Sequence, residues 1–183
     1  MKILGSLAVA LALLGAGCGD GPVETAATQG VTVYKLAPDD RVKVVVYGED
    51  DLSGEYLVGS DGNVSFPLIG SVKAGGLSLA QFRAELASSL HGRYLKDPRV
   101  SADIVAYRPF YILGEVNHPG QYPYRVGLTL NAAVATAGGY TYRANQKVVA
   151  VQHLGAPGEE RFRVTSSLQV SAGDTVRVLE RFF

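Results

Sequence analysis

Val42, Val44 and Val46 alternate with Lys43, Val45 and Tyr47, a period-two pattern rich in β-branched side chains that predicts a strand starting after Asp39-Asp40. Apolar residues stand on both sides of Asp61-Gly62 within residues 56–65, and that dipeptide tolerates the positive φ of a tight turn, so a hairpin is expected there. From Ser78 the period changes. Leu79, Phe82, Leu86 and Leu90 recur at helical spacing, Ser78 and Gln81 suit a capping box, Leu77 and Phe82 suit a hydrophobic staple, and Gly92 stops the helix. Asp97-Pro98 then turns the chain into a second alternating stretch carrying Val100, Ala102, Ile104 and Ala106.

The second half repeats this grammar. Strands are expected over residues 110–116 and 121–124, separated by the turn Asn117-His118-Pro119-Gly120, with Tyr122 and Tyr124 on one strand face. Thr129 opens a short helix whose apolar face is Leu130, Ala133, Val134 and Ala137, and Gly138-Gly139 closes it. Further strands follow over 147–153, 161–165 and 175–179, the last after the turn Gly173-Asp174. The fold class read from this is α+β: two small strand-rich modules, each with one main helix, divided at Arg108-Pro109 into residues 32–108 and 109–183. Gly76-Leu77-Ser78-Leu79 and Gly127-Leu128-Thr129-Leu130 echo each other at the two helix starts, either as traces of related modules or as convergence on capped helix entries.

Ahead of these modules, Lys2 precedes an apolar stretch from Ile3 to Leu14 and then Gly15-Ala16-Gly17-Cys18, the layout of a secretory signal over residues 1–17. The stretch resembles a bacterial lipobox, in which small residues precede a cysteine that is acylated and becomes the first mature residue. It departs from that pattern in placing Gly15 where leucine is preferred; the alternative is a general secretory signal with an incidental cysteine. Cys18 is therefore the expected lipid attachment site, residues 18–31 a flexible tether, and Gly19 in place of aspartate favours the outer membrane.

Composition narrows the function. The 183 residues carry 17 Lys+Arg against 17 Asp+Glu and are 47% hydrophobic, which suits a globular chain and gives no overall basic excess for nucleic-acid binding. One cysteine cannot form an internal disulfide, and His91, His118 and His153 are too scattered to suggest a metal site, so neither metal nor cofactor is expected. Between residues 39 and 61 seven acids (Asp39, Asp40, Glu49, Asp50, Asp51, Glu55 and Asp61) face only Arg41 and Lys43. They flank turns and strand ends, where solvated carboxylates are the ordinary expectation, and no nucleophile, phosphate-binding or zinc-protease motif accompanies them. An enzyme is not expected.

Tyr107, Phe110, Tyr111, Tyr122, Tyr124, Tyr140 and Tyr142 cluster with Arg108, Arg125 and Arg143 and one acid, Glu115. Rings with a polar handle beside guanidinium groups can stack on sugars and hydrogen-bond their hydroxyls and carboxylates. Tyr111, Tyr122, Tyr124, Arg125, Tyr140 and Arg143 are the candidate glycan-facing residues; the other reading is half-buried packing on strands.

Tyr34-Lys35-Leu36-Ala37-Pro38-Asp39-Asp40, Val45-Val46-Tyr47-Gly48-Glu49, Asp61-Gly62-Asn63-Val64-Ser65-Phe66-Pro67-Leu68-Ile69-Gly70 and Tyr94-Leu95-Lys96-Asp97-Pro98-Arg99-Val100 resemble, in order, the polysaccharide biosynthesis/export family. Phe110-Tyr111-Ile112-Leu113-Gly114-Glu115-Val116-Asn117-His118-Pro119-Gly120-Gln121-Tyr122-Pro123-Tyr124, with Ala137-Gly138-Gly139-Tyr140-Thr141, resembles the soluble-ligand-binding β-grasp module that follows in that family. The resemblance implies a lipid-anchored ring of identical subunits on the periplasmic face of the outer membrane. That ring would guide capsular polysaccharide or exopolysaccharide, without catalysis, opposite an inner-membrane copolymerase. In such a ring the acidic 39–61 segment, through Asp50 and Asp51, is expected to meet the basic 107–143 segment of a neighbour.

Longer members of the family add further ligand-binding modules and a C-terminal amphipathic helix that lines a pore, whereas this sequence ends at Glu180-Arg181-Phe182-Phe183. A short form served by a separate outer-membrane pore protein is the resulting expectation. The runner-up function is a periplasmic glycan-binding or sensing module that forms no conduit, and a third is a hydrolase of envelope polymers.

Overall fold

The computed structural model describes residues 33–181; the signal segment, Cys18 and the tether expected over 18–31 lie outside the described residues. The alternating valines form β1 (Arg41–Val46), with Val42, Val44 and Val46 buried and Arg41 and Lys43 in solvent. Each such buried valine contributes about 1.5–3 kcal/mol relative to an exposed one. β1 is the centre of a three-stranded antiparallel sheet, between β2 (Gly54–Leu57) and β5 (Val100–Ala106). β3 (Asn63–Phe66) and β4 (Gly70–Lys73) form a separate two-stranded ribbon.

The expected hairpin over 56–65 is present only next to its turn: Val58 and Val64 form an antiparallel bridge and the Gly59 N–H donates to Asn63 O (2.8 Å), after which β2 continues onto β1 while β3 turns away to pair with β4. α1 (Leu79–Leu90) begins with the complete capping box: the Gln81 amide N–H donates to Ser78 Oγ, and the Ser78 amide N–H donates to Gln81 Oε1. Its Phe82, Leu86 and Leu90 pack with Leu36, the β1 valines, Val58, Val64 and Phe66 into one core.

A second core, built from other residues, lies beyond residue 108. β6 (Phe110–Gly114), β7 (Gly120–Tyr122), β8 (Ala144–Gln152), β9 (Glu160–Arg163) and β10 (Thr175–Glu180) make a five-stranded sheet in the order β7-β6-β10-β8-β9. The first and last strands, β6 and β10, are parallel at its centre, with antiparallel hairpins outside them: the β-grasp arrangement. α2 (Leu130–Thr136), capped by Thr129, covers one face with Leu130, Ala133 and Val134, and Ala137 follows them into the core.

β7 ends at Tyr122, so Tyr122 and Tyr124 do not share a strand face; Pro123, which has no N–H to donate to a ladder, interrupts the strand. The two echoed stretches share one form. Gly76 and Gly127 have φ of 80° and 79°, and each is followed by a β-region cap whose hydroxyl accepts from the third helical N–H.

Candidate functional site

The module junction is built around a buried carboxylate. Asp40 is fully buried at the start of β1, and its two oxygens accept from Tyr34 Oη (2.7 and 2.8 Å), the Ala37 N–H (2.8 Å), the Arg108 N–H (2.8 Å) and Arg108 Nη1 (3.2 Å). The same guanidinium donates from Nε to the Ala172 carbonyl (3.0 Å) and from Nη1 to Tyr34 Oη (3.0 Å). Arg108 thus holds groups of both modules at once. Burial, and then the hydrogen bond to the Asp40 carboxylate, push the Tyr34 phenol far up and keep it protonated. The Tyr107 ring stands edge-on to Tyr34 (4.9 Å) and to Tyr124 (5.7 Å), bridging the modules by packing as well.

A second constellation joins the two motifs singled out in the β-grasp half. After β6 the chain leaves through Gly114 (φ 83°), whose missing Cβ would lie 2.1 Å from the Val178 carbonyl oxygen. The next residues dock onto the end of α2. The Asn117 N–H donates to Gly139 O (3.1 Å), the His118 N–H to Ala137 O (2.9 Å), and Asn117 Nδ2 to Gly138 O (2.7 Å). Tyr122 Oη donates to His118 O (2.7 Å), and Thr141 Oγ1 donates to Glu115 Oε2. These motif residues satisfy the carbonyls at the helix end, which is a structural task.

The candidate glycan-facing residues do not converge on one surface. Tyr122 stacks on Phe110, and Tyr122, Tyr124 and Tyr140 pack against the second core; burial raises the phenol pKa of Tyr124 and Tyr140. Tyr111 points from the opposite face of the sheet and is 41% exposed, while Arg125 is exposed in the turn before α2. Arg143 is exposed on a pair with Glu180, and hydrogen bonding to that carboxylate raises its pKa. Asp50 and Asp51 are exposed on a single 3-10 turn, Asp50–Leu52.

The acids of 39–61 are likewise dispersed: Asp40 belongs to the junction, Glu55 pairs with Arg41 (3.8 Å), and Asp61 accepts from the Asn63 side chain, which lowers its pKa. Among the described residues no group of three His, Cys, Asp or Glu could hold a metal, and no helix is long and apolar enough to cross a membrane. Sequence reasoning missed the Asp40–Arg108 pair, whose partners stand 68 residues apart, and it left Tyr142 outside the candidate set although that ring is 84% exposed. No local signal separates Tyr142 from Tyr140, the tyrosine that directly follows the Gly138-Gly139 helix stop and packs against the second core.

Comparison with known proteins assigns the two modules. Residues 28–105 match the polysaccharide biosynthesis/export protein family, and residues 109–165 match the SLBB domain. The exopolysaccharide production protein ExoF of Rhizobium meliloti is 32% identical over 143 residues, 72% of this chain and 34% of that protein. The EPS I polysaccharide export outer membrane protein EpsA of Ralstonia nicotianae is 37% identical over 95 residues, 50% of this chain and 24% of that protein. The polysialic acid transport protein KpsD of Escherichia coli is 32% identical over 105 residues, 54% and 19% respectively. The match spans about a third or less of the length of each of these relatives.

Proposed function

The chain belongs to the polysaccharide biosynthesis/export family, and from that premise we propose that it is a non-catalytic part of an envelope conduit that moves capsular polysaccharide or exopolysaccharide to the cell surface. The observation that carries the reading is the order of the two matched domains, which together take in most of the described residues. Relatives named for exopolysaccharide production, polysaccharide export and polysialic acid transport support the substrate class.

In this reading Cys18 carries the lipid that holds the protein on the periplasmic face of the outer membrane, and identical subunits close into a ring. The ring works between an inner-membrane copolymerase and a separate outer-membrane pore protein. Asp50 and Asp51 meet the basic segment of the next subunit, where Arg125 is exposed.

The test is native mass spectrometry of the detergent-extracted mature protein, wild type beside Cys18→Ala, together with surface-polysaccharide measurement after gene deletion. A lipid-modified oligomer and loss of surface polymer are expected. An unmodified monomer with saturable sugar affinity would replace the conduit with the sensing module. Unchanged surface polymer would overturn export altogether. Charge reversal at both Asp50 and Asp51 is expected to weaken the oligomer most at low salt.

A further inference from the structure

Two carboxylates are buried among the described residues, Asp40 and Asp174, and the same local structure holds both. In each case a four-residue turn leads into the central strand of its sheet: residues 37–40 into β1 and 171–174 into β10. The Asp N–H donates to the first carbonyl of the turn (Ala37 O and Ser171 O, both 3.2 Å), and the first N–H donates back to the Asp carboxylate (2.8 and 2.7 Å). The third residue is left-handed in both, Asp39 at φ 71° and Gly173 at φ 84°. Even the residue before the turn is bound alike, the Leu36 N–H to Leu77 O and the Val170 N–H to Leu128 O, at the two echoed helix starts.

The two carboxylates differ in their cations. Beside β1 runs antiparallel β5, beyond whose end Arg108 brings Asp40 a permanent cation. Beside β10 runs antiparallel β8, and the residue after its end is His153, whose Nδ1 lies 2.9 Å from Asp174 Oδ1. Asp40 also accepts from Tyr34 and two backbone N–H groups, whereas Asp174 has, besides His153, the Ser171 N–H. The buried charge of Asp174 is therefore matched by a cation only while the imidazole carries its second proton.

The 171–174 turn is also where the modules meet. Ala172 O accepts from Arg108 Nε (3.0 Å), the Gly173 N–H donates to Pro109 O (3.0 Å), and a Cβ on Gly173 would stand 2.9 Å from Arg108 Nε and 3.3 Å from Leu154 Cβ. The turn is thus wedged between the inter-module connection and the end of β8 that carries His153. The other charged or titratable groups facing the pair are Glu160 on β9, which favours the imidazolium, Arg108, already paired with Asp40, and Tyr124, whose phenol burial keeps protonated. Phe162 stands edge-on to the imidazole at 6.0 Å.

We propose that His153 and Asp174 form a proton-operated latch on the junction: the protonated imidazole holds the 171–174 turn in the form that grips Arg108 and Pro109, and the neutral imidazole lets the second module swing against the first. The hydrogen bond to Asp174 raises the imidazole above its ordinary value, so the grip is complete below that value and is lost as pH rises through the higher folded one. Acidity around the protein thereby sets how stiffly the two modules are joined, whether or not the chain exports a polymer.

The experiment is NMR of the isotope-labelled full chain across the titration of His153, followed at its own ring C–H resonances. Residual dipolar couplings should fit one alignment tensor for both modules while His153 is protonated and two once it is neutral. Solvent exchange of the Arg108 Nε–H, corrected for its intrinsic pH dependence, should quicken about threefold with the same midpoint. His153→Arg should keep the joined state at every pH, and His153→Gln the loose one. The His153 side chain is 38% exposed, so both variants should retain the two cores, checked by amide chemical-shift dispersion. One tensor throughout the titration, a change whose midpoint is not that of His153, or a pH response that survives His153→Gln would overturn the latch.

Discussion

Arg108 reaches from the connection between the two modules to the buried carboxylate of Asp40, 3.2 Å from Nη1, while its Nε binds the Ala172 carbonyl on the other side. One guanidinium therefore satisfies a charge in the first core and an orphan acceptor beside the second. Its side chain is only 15% exposed, so water does little to weaken the pair.

Arg108→Ala should be among the most damaging single changes in the chain. It leaves a fully buried carboxylate without its cation, at a cost of about 3–5 kcal/mol. Urea denaturation would show this as a large drop in midpoint, and a drop below about 1 kcal/mol would mean that Tyr34 and the backbone donors suffice alone.

Stability should carry a pH dependence from His153. Its Nδ1 lies 2.9 Å from Asp174 Oδ1, and that hydrogen bond raises the imidazole above its ordinary 6.5, against the opposing effect of burial; Glu160 adds to the rise. The folded state holds the proton more tightly, so the contribution is complete below the unfolded value and is lost as pH climbs through the higher folded value. With 38% of the side chain exposed, the slope is modest. The urea midpoint should fall as pH rises from the ordinary imidazole value through the raised folded one, and His153→Gln should flatten that fall.

Two glycines with similar backbone angles should respond differently to alanine. At Gly114 a Cβ would strike the Val178 carbonyl at 2.1 Å and force apart β6 and β10, so a loss of at least about 3 kcal/mol is expected. Gly139, at φ 88°, has nothing within 4 Å, and alanine there meets only the left-handed backbone penalty of roughly 1–2 kcal/mol. Equal losses at the two sites would show that backbone angle, not the close approach, governs Gly114.

The Tyr140 hydroxyl is buried without a hydrogen-bond partner among the described residues. Tyr140→Phe removes a desolvated polar atom and keeps the ring against the second core, so thermal stability should hold or rise by up to about 1 kcal/mol. A loss of that size would reveal a partner for the hydroxyl.

Much of the local structure was legible because its causes are local. The β1 valines, the Ser78–Gln81 box and the Thr129 cap each act within a few residues, and each stands where the pattern puts it. What the pattern could not carry is partner choice. The turn at Asp61-Gly62 is locally a hairpin signal, yet which strand pairs with β2 and β3 is decided by β1 and β4. Asp40 and Asp61 look alike in a row of acids; one is buried against residue 108 and the other is exposed beside Asn63. Tyr140 and Tyr142 stand two residues apart, and only the placement of the helix end decides that the first packs inward and the second stands in solvent.

The junction also sets an order in time. A chain growing from its N-terminus presents Asp40 long before Arg108, and the Ala172 carbonyl that anchors Arg108 comes 64 residues later still. Asp40 thus meets its cation as soon as the first module is made, while the far end of the Arg108 side chain gains its second hold only when residue 172 has been synthesised and folded, so the clamp between the modules closes after the first charge is satisfied.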